Sequence, residues 1–208
     1  MSFTGFNQQD FDVFQVPGLE QRMEALIANV RPKLELLGTE IAPYLSVLCG
    51  EEMYPHVAKH ARRTVNPPND TWVAWAANKR GYKALPHFQV GMFSSHLFII
   101  FAVIYESSNK TIFAKNLEAD KNRFKKIIPD QYYWSMDHME PEGKLNGDTS
   151  IEDLQVIATK LATVKKSEIL CGLRISNDDS ILGNGEQLIS LIQSTFENLL
   201  PLYKQSFS

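Results

Sequence analysis

Cysteine is scarce in this chain. Its 208 residues include two, Cys49 and Cys171, both in apolar surroundings and without C-x-x-C spacing. This predicts two structural thiols in a reducing compartment rather than a disulfide. Long apolar runs are missing too. The longest, Leu97 to Tyr105, has nine residues, and a membrane span needs roughly 20. The first ten residues, MSFTGFNQQD, lack the basic and apolar regions of a signal peptide. The expectation is a soluble, cytoplasmic protein without a membrane partner. No P-loop, G-x-G-x-x-G, G-x-S-x-G or H-E-x-x-H occurs, so no motif identifies a nucleotide fold, a hydrolase or a zinc protease. Strong net charge is also absent. At −3 the chain has no global field to recruit nucleic acid or an anionic membrane.

What is present is an ordinary globular composition, 44% hydrophobic and 22% charged, enough for a sizeable core in one unit spanning 1–208. "DFDVFQV" (10–16) alternates and stops at Pro17-Gly18, which predicts a short strand. Met23, Leu26, Ile27 and Val30 mark a helix, and Leu34 through Leu48 a second. Pro32 suits that second helix's first turn, Pro43 should kink or split it, and Gly50 should end it. "TWVAWAA" (71–77), "HFQVGMF" (87–93) and "HLFIIFAVIYE" (96–106) read as strands in series, the third apolar on both faces and therefore covered on both. A helical segment, a strand at 131–138, a helix capped by Ser150 and Asp153, a strand at 168–175 and a closing helix follow. Strand pairs alternating with helices predict an α+β fold, a mainly antiparallel sheet flanked by helices.

"YPHVAKHARRTVNPPNDTW" (54–72) carries the densest chemistry. Read as a helix from Tyr54 to Val65, it places His56, Lys59, His60 and Arg63 on one arc, with Arg62 beside them and the apolar residues opposite. A solvated face is the plain reading of such an arc. Two histidines at i and i+4 could share a metal, but Lys59 and Arg63 would repel a cation, so no metal or other cofactor is expected. An anion fits better. Between residues 51 and 96, six cations (Lys59, Arg62, Arg63, Lys79, Arg80, Lys83) face three acids (Glu51, Glu52, Asp70). Arg62 and Arg63, with Lys79, Arg80 and Lys83 of "NKRGYK", could meet around a phosphate or carboxylate, with His56, His60 and His87 lining the same site. Weaker candidates are Asp137-His138 at a strand end, where a turn role competes with acid–base work, and Arg174, which should face away from Cys171. Trp72, Trp75 and Trp134 could stack on a base, though strand aromatics more often fill cores.

The block "HVAKHARRTVNPPNDTWVAWAANKRGYKALPHFQVG", together with "GLEQRMEALIANVRPKLELLGTEIAPYL" and "LLPLYK", resembles the YktB-like proteins of Gram-positive bacteria, an uncharacterised family. The resemblance runs over nearly the whole chain. It implies an intracellular α+β protein, with a sheet topology like that of class II synthetases and biotin ligases, and supplies no activity or catalytic residue. The leading expectation is a binding protein for a small anionic or phosphate-bearing ligand, nucleotide or nucleic acid included. Two alternatives stay open: an enzyme that uses a histidine as acid or base on such a ligand, and a protein-interaction module that presents the basic face.

Overall fold

The computed structural model describes residues 2–207. The chain enters through α1 (Gln8–Asp12), a single 3₁₀ turn (Val13–Gln15) and α2 (Leu19–Ala25). The strand expected at 10–16 is therefore helical. Asn7 and Asp10 form a capping box, and Phe11 and Phe14, three apart, are both buried. Over seven residues a period of two and a period of three to four are not separable by eye, and the cap decides between them.

A π-helical turn (Leu26–Val30) carries α2 into α3 (Arg31–Cys49). Pro32 lies in the first turn of α3, and Gly50 ends the helix in the left-handed region at φ 79°. The helix runs unbroken through Pro43, so the expected split does not occur. The remaining elements are β1 (Tyr54–Val57), β2 (Asp70–Ala76), β3 (His87–Phe93), β4 (His96–Val103), α4 (Lys110–Ile127), β5 (Tyr133–Ser135), β6 (Lys144–Leu145), α5 (Ile151–Thr163), β7 (Ile169–Ser176) and α6 (Gly185–Lys204). The strands form one seven-stranded sheet in the order β1-β2-β3-β4-β7-β5-β6, every neighbouring pair antiparallel. The α+β expectation holds.

Strand alternation divides the residues between the two faces. Val73, Trp75, Phe88, Val90, Leu97, Ile99, Phe101, Trp134 and Cys171 lie on the face that joins the main core with α3, α4, α5 and α6. Trp75 and Phe88 pack on Phe196 of α6, and Phe88 stacks on Tyr203 at 5.1 Å. The other face carries a smaller apolar cluster: Phe93, Phe98, Ile100, Ala102, Tyr133 and Leu170, with Trp72 against it. Every position of β4 is buried, as its two-sided apolar pattern predicts. On this second face Tyr82 and Lys83 of one connection and Asp137, His138 and Glu140 of another border a cavity.

The helix expected over 54–65 is absent. Tyr54–Val57 is an edge strand, paired from Tyr54 with Ala76 to Val57 with Val73. A turn follows in which His60 takes φ 51° and its carbonyl accepts from Arg63 N at 3.0 Å. Pro55 has no N–H to give a ladder, which an edge strand tolerates. The side of the expected helix opposite the basic arc held only small residues, Val57, Ala58, Ala61, Thr64 and Val65, so packing it would have gained little.

Candidate functional site

Strand β2 sends Asp70 and Trp72 to the second face, β3 sends Gln89 and Phe93, β4 sends Phe98 and Ile100, and β5 and β7 send Tyr133 and Leu170. Tyr82 and Lys83 close one side of the cavity; Asp137, His138 and Glu140 close another. The cavity measures about 90 Å³, below the range of drug-sized sites and enough for several waters or a small ligand. Its walls are fixed by contacts among themselves. Trp72 Nε1 donates to Tyr82 Oη at 3.1 Å, and Tyr82 meets the buried His87 ring edge-on at 4.8 Å. Arg174 stacks on the Tyr133 ring at 3.7 Å, with its Nε and Nη2 buried and without hydrogen-bond partners.

Three ionisable groups set the chemistry. Glu168, immediately before β7, is 4% exposed. One of its oxygens accepts from the His138 main-chain N at 2.7 Å and from His138 Nδ1 at 2.5 Å. The other is buried without a partner. The hydrogen bond that His138 donates to Glu168 raises the His138 pKa above its usual value, against the opposing effect of burial. Asp70 is 3% exposed. Burial pushes its carboxyl up to about 6, although His138 and Arg63 attract its charge and its own backbone N–H donates to it. Asp137, His138 and Glu168 also place one ligand atom each within 4.8 Å of one another, close enough to hold a metal ion. Lys166 lines the same recess, where its charge opposes a cation.

The residues expected to bind an anion are only partly brought together. His56, Arg80 and Lys83 line a shallow groove that shares Tyr82 and Lys83 with the cavity wall. His56 Nε2 donates to Asn78 O at 2.9 Å, and Lys83 pairs with Glu106 at 3.5 Å. Lys79 is exposed in the turn beside them. Arg62 is exposed, and Arg63 is half-buried near Asp70 and His60. His60 packs edge-on against Trp72 at 5.5 Å and shares a hydrogen bond with Thr71 Oγ1. His87 is wholly buried: Nδ1–H donates to Leu85 O at 2.8 Å and Nε2 accepts from the Gln89 amide at 2.8 Å. It therefore orients Gln89, which borders the cavity.

The chain matches the family described as Domain of unknown function (DUF1054) over residues 6–203. A UPF0637 protein of Bacillus cereus strain B4264 is 50% identical over 203 residues, covering 98% of both chains. A UPF0637 protein of Bacillus thuringiensis strain Al Hakam is 49% identical over the same coverage. The chain belongs to the DUF1054 family. The resemblance to an uncharacterised family of Gram-positive bacteria thus holds over nearly the whole length. Family membership attaches no reaction to the cavity, so the role of this DUF1054 protein is argued from its own side chains. Glu168, Asp70 and Gln89 were absent from the sequence-based site. Each is a polar residue at a strand position whose alternation turns it inward, and that was the signal available for them. Among the described residues no helix is long and apolar enough to cross a membrane.

Proposed function

We propose that the cavity on the second sheet face is a small-molecule active site in which His138 moves a proton. One observation carries the reading: Nδ1 of the half-buried His138 lies 2.5 Å from a carboxylate oxygen of buried Glu168. A carboxylate on Nδ1 fixes the tautomer and stabilises the imidazolium, leaving Nε2 to exchange a proton with a ligand. Raising the His138 pKa keeps the group able to give and take protons near neutrality. The aromatic walls exclude water from the exchange. Both cysteines are free thiols, in keeping with a cytoplasmic setting.

The test is to incubate purified protein with a bacterial metabolite extract and follow every mass over time. Wild type should deplete at least one metabolite, and His138→Gln should not. A metabolite retained by the protein without being consumed would make this a binding protein instead. No metabolite depleted or retained would end the reading.

A second reading keeps the anionic ligand. It is supported by His56, Arg80 and Lys83 sharing one groove beside the cavity. Phosphate, nucleotides and short RNA should then raise the melting temperature at low salt, less so at high salt, and Arg80→Glu should abolish the effect. An unchanged melting temperature with all three would remove it. Docking of an acidic protein on Arg62 and Arg63 is the remaining alternative, and reversing both charges should release such a partner.

A further inference from the structure

This inference rests on the cavity being a small-molecule site, and asks what charge its occupant bears. The wall is aromatic and acidic at once. Asp70 and Trp72 are two apart on β2, so the carboxylate and the indole stand on the same sheet face. Tyr82 is tied to that indole by the Trp72 Nε1 hydrogen bond. Among the described residues no hydrogen bond from another residue reaches the Asp70 carboxylate, although the residue is 3% exposed. Asp137 and Glu140 add two further carboxylates on the covering loop.

The cations that line the cavity are paired, and Arg63 and Arg174 stand outside its lining. Lys83 is half-exposed at the rim and paired with Glu106 at 3.5 Å. His138 is paired with Glu168, and Arg174 stacks on Tyr133. A neutral ligand would leave Asp70 desolvated, with only its own backbone N–H and the more distant charges of His138 and Arg63 to offset it. An anion would meet three carboxylates. A cation would satisfy Asp70 and also find the electron-rich faces of Trp72 and Tyr82, an attraction that strengthens as water is excluded. We infer that the cavity takes a small organic cation, an apolar body carrying an ammonium or comparable positive nitrogen, held by the Asp70 carboxylate and the rings of Trp72 and Tyr82.

Three probes of one shape separate the possibilities: 2-phenylethylamine, 2-phenylethanol and 3-phenylpropanoate, positive, neutral and negative at pH 8. Each is titrated while the Trp72 indole N–H resonance is followed, assigned with Trp72→Phe. The amine should bind at least about tenfold more tightly than the alcohol, and the acid most weakly. Asp70→Asn should erase the amine's advantage while leaving the alcohol within about twofold. Tyr82→Leu, read on the same Trp72 signal, should weaken the amine more than the alcohol, an independent check should Asp70→Asn fold poorly. Tightest binding by 3-phenylpropanoate, or an amine preference that survives Asp70→Asn, overturns the inference. Alcohol binding equal to amine binding also overturns it, yet leaves the small-molecule reading standing. If none of the probes moves the Trp72 signal up to its solubility limit, both fall.

Discussion

At the scale of single residues, Asp70 and His138 are the groups whose charge the fold controls most tightly around the cavity. A carboxyl raised by burial to about 6 binds its proton more tightly folded than unfolded. Stability therefore falls as pH rises from about 4 to about 6, and the cost persists above that. Asp70→Asn removes the charge and keeps the shape. It should stabilise the protein by on the order of 1–3 kcal/mol at pH 8 and by nearly nothing at pH 4, read by calorimetry at the two pH values. Lower stability of the variant at pH 8 would mean that the folded protein already compensates the charge. His138 gives the same slope for a different reason: a favourable bond is lost, where at Asp70 an unfavourable charge appears. Its pKa is raised, so the bond to Glu168 contributes fully below the unfolded value of 6.5 and is lost as pH rises through the folded value. Glu168→Gln should lower the His138 pKa, because burial is then opposed only by the charges of Asp70 and Asp137; an NMR titration of the imidazole reads it directly. An unshifted titration would show that Glu168 does not hold the proton. Asp137-His138 was legible in the sequence as a strand-end pair. Its partnership with Glu168 was not, since 30 residues separate them and only the β5–β7 pairing closes the gap.

At the scale of elements, what was legible followed from length and punctuation. The strands at 71–77, 87–93 and 96–106 were read to within a few residues because apolar runs were bounded by turn residues. The α5 cap at Ser150 and Asp153 forms both of its hydrogen bonds. Segments 10–16 and 54–65 were misread for opposite reasons: a capping box overrode an apparent alternation in one, and edge pairing overrode an apparent helical stripe in the other. With the second error went the common arc of His56, Lys59, His60 and Arg63, and these side chains now belong to three different surroundings. The central ladder allows a sharper test. Gly172 on β7 sits so close to β4 that a methyl group there would collide with Ile99 O and lie 2.8 Å from Ile100 Cα. Both strands are buried and neither can move aside cheaply. Gly172→Ala should therefore cost at least about 2 kcal/mol, seen as an earlier thermal unfolding transition. An unchanged transition would show that the β4–β7 register is looser than drawn.

At the scale of the whole molecule, one sheet serves two tasks: its first face anchors four helices, and its second face is left to loops, a cavity and most of the histidines. His60, His87 and His96 all have pKa values lowered to about 4, with burial as the largest cause in each. A lowered folded value means the unfolded chain takes up the proton first. Stability is thus full above 6.5 and is lost as pH falls from 6.5 toward 4, by up to about 1.4 kcal/mol per pH unit for each histidine. Asp70 works against this in part, since its protonation favours the folded state over most of the same range. His87 is the decisive case because it is wholly buried and its neutral tautomer is fixed: a second proton on Nε2 would face the Gln89 amide instead of accepting from it. Gln89 borders the cavity, so charging His87 disturbs the cavity floor as well as the fold. His87→Gln should flatten the dependence of unfolding free energy on pH between 4 and 6.5 by about 1.4 kcal/mol per unit, whatever it does to absolute stability. Denaturant melts at four pH values measure that slope. A slope equal to wild type would mean that His87 titrates normally and that acid reaches the second face without unfolding the protein.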